Sequence, residues 1–257
     1  RKSMKKYLAL LFMLIMGIFI VSSLAIAGQS PGTGIQLTSH DLSRAGRGLL
    51  WDAPSAGEEP LDRICIYCHA PHHTITKDQA TTAEVTYYPL WNHDLTNLTY
   101  DLYQNTSTGD IPNSIQHQLN AIQTKPGSIS KLCLSCHDGS VAVSSYGNFN
   151  PLASSRHTGN KYVTDTKFAI GQLGNLTNHH PIGFDYLAVK NLDDEIRDPS
   201  NALLGNNPYG LTVNDLLFGG KMECASCHDV HNTKNTGLKL TWVADTQSNL
   251  CFSCHAK

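Results

Sequence analysis

The sequence predicts a mostly irregular, loop-rich fold with short α-helices and few short strands, on three observations. Hydrophobic periodicity is poor along most of the 257 residues, so neither helical spacing nor strand alternation lasts long enough to build conventional layers. Twenty glycines and 11 prolines break the chain often, as turn-rich segments do. All eight cysteines fall in four Cys-x-x-Cys-His units, a spacing suited to a single helical turn.

Residues 1–27 differ from the rest. Lys5 and Lys6 are followed by an apolar run from Leu8 to Val21 and by the small-x-small sequence Ala25-Ile26-Ala27, the pattern of a cleaved signal peptide. Retention as a membrane anchor is the competing expectation, because Leu8 to Ala27 is just long enough to span a bilayer. With cleavage, residues 28–257 form the exported domain and no stable membrane insertion remains. Removing Arg1, Lys2, Lys5 and Lys6 leaves acidic side chains in excess, so a basic stripe for nucleic acid is excluded. Further along, Ile115 to Gln123 has a weak helical pattern. Asp138 to Glu223 is rich in Gly, Asn, Thr and Ser and reads as loop with short strands or turns.

The four motifs carry the chemistry. They are Cys65-Ile-Tyr-Cys68-His69, Cys133-Leu-Ser-Cys136-His137, Cys224-Ala-Ser-Cys227-His228 and Cys251-Phe-Ser-Cys254-His255. On a helical turn, positions i, i+3 and i+4 share a face, so two thiols and one imidazole meet the same flat ligand. Each thiol can add across a haem vinyl group to give a thioether, while the histidine takes an axial iron position. This is the signature of c-type haem attachment. Zinc sites and redox dithiols also use Cys-x-x-Cys, but neither needs a histidine after every pair. Four covalently bound haem c groups are therefore expected, with iron held from one side by His69, His137, His228 and His255.

The other axial position decides between carrier and catalyst, because a haem with two imidazoles has no open iron site. Nine histidines remain for four positions, whereas three of the four methionines lie within residues 1–27. Bis-histidine ligation is the expectation. His72 and His231 each follow a motif histidine by three residues, far enough to leave their own haem and reach a neighbour. His180 precedes a proline that restrains its backbone, and His40 and His93 complete five candidates for four places. His179 reads as a flanking residue, and His73, His117 and His157 as exposed side chains. Tyr87, Tyr88, Trp91 and Trp242 are expected to pack against haem.

The motif order is alternating. The units at Cys65 and Cys224 continue to a second histidine, whereas those at Cys133 and Cys251 match each other in Leu-Cys-x-Ser-Cys-His. That order reads as a duplicated two-haem module, with pairs around 65–137 and 224–255. Haem plates anchored by several bonds would act as staples for a chain with so little regular structure.

The segments Ser39-His40-Asp41-Leu42-Ser43, Cys65-Ile-Tyr-Cys68-His69-Ala-Pro-His72, Pro89-Leu90-Trp91-Asn92-His93, Leu132-Cys133-Leu-Ser-Cys136-His137-Asp138-Gly139, His180-Pro181-Ile182-Gly183-Phe184 and Cys224-Ala-Ser-Cys227-His228-Asp-Val-His231 resemble the paired Cys-x-x-Cys-His cytochromes. Within these the resemblance is to the OmcE-like extracellular tetrahaem nanowire cytochromes. It implies a multihaem c-type cytochrome organised around a stacked haem chain. Its copies would polymerise head to tail, with an axial histidine of one subunit serving a haem of the next, here His40 or His72. Electrons would pass to redox partner cytochromes or extracellular electron acceptors, and the protein would be no enzyme. A monomeric periplasmic shuttle, a membrane-anchored tetrahaem quinol dehydrogenase and a multihaem enzyme with an open haem are the competing readings.

Overall fold

The structure, a computed structural model, describes residues 32–43, 63–72, 90–103, 126, 128–146, 162–201, 210–233 and 239–256. The segment 1–27, the Ile115 to Gln123 pattern, Tyr87, Tyr88, His73, His117 and His157 lie outside the described residues. Within them, the helices are α1 (Ser128–His137), α2 (Tyr186–Lys190), α3 (Cys224–Cys227) and α4 (Asn249–Cys254). Tighter 3-10 turns occupy Cys65–Tyr67, Gln172–Gly174, Val213–Leu216 and Thr246–Ser248. Two strands, β1 (Phe184–Asp185) and β2 (Lys221–Met222), pair antiparallel with Phe184 opposite Met222. No helix among the described residues is long and apolar enough to cross a membrane. The loop-rich architecture read from the sequence is the one observed, and each motif sits on a short helix or 3-10 turn.

Local chemistry sets these elements. Helix α1 is the longest because Ser128 to His137 contains neither glycine nor proline, and it stops where Gly139 takes a left-handed φ of 72°. Helix α2 starts at Asp185, whose Oδ1 accepts the Ala188 N–H at 2.8 Å, a side-chain cap for an otherwise unpaired donor. In α3, Ser226 Oγ accepts the Glu223 N–H at 3.0 Å. Ser130 of α1 reaches the same place: its hydroxyl donates to the Glu223 carboxylate and accepts the Cys224 N–H at 2.9 Å. The second and third motifs are thus joined through buried polar groups, which must be satisfied to be tolerated.

The apolar core is divided. Phe184, Tyr186, Val189, Val213, Leu216, Met222 and Val243 form one cluster, with Cys227 and Cys254 at its border. Tyr67, Val143, Tyr146 and Val163 form a second, bordered by Cys68 and Cys136. Trp91 and Leu132 form a third, also touching Cys68. Trp242 lies against the first cluster and donates its indole N–H to Ala225 O at 2.9 Å. Each core therefore ends on motif cysteines, so the small cores and the attachment points share a boundary.

A parallel bridge between Asp101 and Asn175 closes the loop region onto residues 90–103. Asp101 N–H donates to Gly174 O and Leu176 N–H to Asp101 O, both at 2.8 Å. Gly174 has a φ of 83°, and a Cβ there would run into the Thr99 carbonyl oxygen. Gly174→Ala combines backbone strain with a clash against main chain, so it is expected to cost more than about 2 kcal/mol. A drop in the urea midpoint of the haem-loaded protein would show this.

Candidate functional site

The four motifs share a local geometry. His69, His228 and His255 donate their backbone N–H groups to the carbonyls of Cys65 (2.8 Å), Cys224 (3.1 Å) and Cys251 (2.9 Å), and His137 ends the continuous helix α1. Each bond closes one helical turn and brings the two cysteines and the histidine to one side. The residue before the second cysteine points the other way: Tyr67, Ser135, Ser226 and Ser253 are all buried. Ser135 accepts the Thr96 N–H at 3.0 Å, and Ser253 donates to Asn249 O at 3.0 Å.

Three motifs carry the same backbone clamp after the turn. At the first, Asn92 N–H donates to Cys68 O (2.7 Å) and Ala70 N–H to Leu90 O (3.0 Å). At the third, Trp242 N–H donates to Cys227 O (3.1 Å) and Asp229 N–H to Leu240 O (2.7 Å). At the fourth, Arg197 N–H donates to Cys254 O (2.8 Å) and Ala256 N–H to Glu195 O (2.7 Å). A short extended segment thus brackets each of these histidines, as the bridges His69 to Trp91, His228 to Thr241 and Ile196 to His255 record. Two main-chain bonds fix the direction of each imidazole where little core is available to do so. At the second motif the job falls to side-chain and loop contacts, with His137 Nδ1 against Phe168 O at 2.7 Å. Sequence reasoning missed these clamps, because backbone hydrogen bonding leaves no residue signature.

Imidazoles then meet in pairs. His40 faces His137 with ring centres 6.0 Å apart, His231 faces His69 at 6.0 Å, and His180 faces His255 at 6.4 Å. A metal to imidazole bond is about 2 Å and the ring centre lies about 1 Å behind its nitrogen, so two imidazoles across one metal have centres about 6 Å apart. The three pairs have that spacing. Ring tautomers agree: Nδ1 of His137 faces Phe168 O and Nδ1 of His180 faces Pro181 O at 2.9 Å. In a neutral ring, an Nδ1–H donated to a carbonyl places the lone pair on Nε2, the nitrogen that would ligate a metal. His40 Nδ1 is buried with no hydrogen-bond partner. Burial, followed by the neighbouring His137, His228 and His231, lowers the His40 pKa to about 3, so its ring is neutral at physiological pH.

The remaining candidates separate cleanly. His72 and His228 are exposed, and neither has a ring contact with another imidazole among the described residues. His228 has its Nδ1 against Lys239 O at 2.9 Å. His93 is 1 % exposed, with Nδ1 at 2.8 Å from Asp94 O and Nε2 at 3.1 Å from Ala142 O. Both nitrogens are directed at backbone carbonyls, and Nε2 also lies 3.3 Å from the Cys136 sulfur. Of the five distal candidates, His93 is thus the one packed between backbone carbonyls and beside an attachment sulfur.

All eight cysteines are free of disulfides. Burial, with smaller effects from neighbouring thiols, pushes Cys68 and Cys227 up to about 12. No cluster of three or more His, Cys, Asp or Glu able to hold a metal ion occurs among the described residues. Haem fits these residues: paired thiols and an imidazole within one helical turn, facing imidazoles at the spacing of a shared metal, and a buried His40 nitrogen without a partner.

Residues 218–257, which hold the third and fourth motifs, match the protein family described as Doubled CXXCH motif. Comparison with curated proteins gave no match. The first and second motifs repeat the matched pattern at 65/68 and 133/136. The class that follows is a multihaem c-type cytochrome, with attachment points for up to four haems and electron transfer as its chemistry.

Removing one member of a facing pair separates attachment from ligation. His231→Ala is expected to retain four haems by mass while converting one from low to high spin in the visible spectrum. An unchanged spectrum would strike His231 from the axial ligands. His93→Ala is the contrasting variant, expected to keep all haems low spin.

Proposed function

We propose that the chain is an exported tetrahaem conductor whose copies join head to tail into a filament, with an axial ligand contributed across the junction. The observation that carries this reading is the pair of exposed imidazoles left over within one chain, His72 and His228. His40 was the other candidate for a bridging residue, but it faces His137 of its own chain. On this reading three axial pairs would close internally, and the fourth would close when His72 of one copy meets His228 of the next.

The two surfaces involved are different, so such a contact is heterologous and continues into a filament unless its rotation closes a ring. Each bound haem supplies a one-electron carrier at its iron. The residues' part is to hold that chemistry in place. Cys65, Cys68, Cys133, Cys136, Cys224, Cys227, Cys251 and Cys254 would anchor the rings, and paired neutral imidazoles would occupy both axial sides. With both sides filled, an exogenous substrate has no place to bind, which favours electron conduction over catalysis.

Placement of the motifs supports a continuous path. The Cys133 and Cys224 thiols hydrogen-bond, Cys68 and Cys136 border one core, and Cys227 and Cys254 border another. Neighbouring attachment points therefore adjoin in motif order. Export is supported by the apolar segment and the small-x-small site before Gly28, and a cell-surface or extracellular location suits a filament that passes electrons to partner cytochromes or external acceptors.

Electron microscopy of the secreted protein tests the reading. Filaments are expected for the unaltered chain, and His72→Ala is expected to give single subunits that keep four attached haems with one in the high-spin state. Only monodisperse particles from the unaltered protein at high concentration would exclude polymerisation and leave a soluble shuttle.

A further inference from the structure

His40 comes from a segment with no helix or strand of its own, yet it faces His137 at an axial spacing. Something must hold that segment in place. Residues 35–43 are fixed internally by the buried Asp41, whose carboxylate accepts Leu37 N–H at 2.6 Å and Ser43 N–H at 3.1 Å. Internal bonds make the loop rigid without saying where it docks.

Docking is supplied at the start of the segment. Asn232 Nδ2 donates to Gly34 O at 2.8 Å and approaches Thr33 Oγ1 at 3.3 Å, while Gly34 N–H donates to Asn232 O at 3.2 Å. Asn232 is 1 % exposed and takes a left-handed φ of 51°. Asparagine tolerates that conformation better than most residues, so this turn suits a side chain that must fold back to bond two neighbours. Its own N–H is held by Asp229 O at 2.9 Å.

We propose that Asn232 is a positioning residue for the axial histidine of the second motif: by clamping residues 33–34 it sets His40 opposite His137. The inference rests on the bis-histidine reading above. It also gives the run after the third motif a double role. His231 faces His69, and the next residue holds the segment that carries His40, so one turn sets the distal sides of the first and second haems together.

Three variants test this in the full haem-loaded chain. His40→Ala sets the reference: one haem of four is expected to become high spin and to bind carbon monoxide without denaturant. Asn232→Gly keeps the left-handed turn and the main-chain bond to Gly34 and removes only the side-chain half of the clamp. It is expected to give a carbon monoxide-reactive fraction at that same single haem, reversed by free imidazole, with faster hydrogen exchange across residues 34–43. Asn232→Ala should do the same or more. If His40→Ala itself stays fully low spin, the bis-histidine reading fails. If His40→Ala changes spin but both Asn232 variants remain low spin and inert to carbon monoxide, the positioning role is overturned. Carbon monoxide binding at two or more haems in Asn232→Gly would also count against it, since a clamp on His40 accounts for one.

Discussion

The helical turn that places a histidine directly after the second cysteine is the constraint on which the rest of the structure depends. It aligns two attachment sulfurs and one imidazole, but only if that imidazole is then held in direction. Holding is done mainly by backbone. At the first, third and fourth motifs an extended segment donates to the second cysteine's carbonyl and accepts from the residue after the histidine. In a chain with small, divided cores, main-chain hydrogen bonds are the rigid element available, and each closes groups that burial would otherwise leave unsatisfied.

Cores and clamps are mutually dependent. The clusters around Tyr186 and Tyr67 both end on motif cysteines, so attaching a haem would extend each core rather than merely occupy a surface. This accounts for the buried serines and tyrosine before each second cysteine: they face the protein while the sulfurs face the ligand. His93 lies between two carbonyls beside Cys136, where it fills space between the motif and residues 142–146.

Facing imidazoles tie distant parts of the sequence together. His231 follows the third motif but faces the first, His180 faces the fourth, and His40 faces the second. The two histidine-trailing motifs are not equivalent: both trailing rings are exposed, but His231 stacks on His69 of another motif.

By itself the sequence determined the attachment chemistry and the loop-rich fold, because cysteine spacing, turn residues and absent periodicity are local properties read within a few positions. It also narrowed the axial candidates to His40, His72, His93, His180 and His231, since only side chains with the right donor can serve. Which of them meet was decided by tertiary structure alone. Pairing depends on how loops fold back through backbone bonds such as Asn92 to Cys68 and Gly34 to Asn232, and a peptide N–H or carbonyl is the same in every residue that carries it. His40 and His93 were equally admissible as donors; one lies opposite another imidazole and the other lies between two carbonyls, a difference that arises only once the chain has closed on itself.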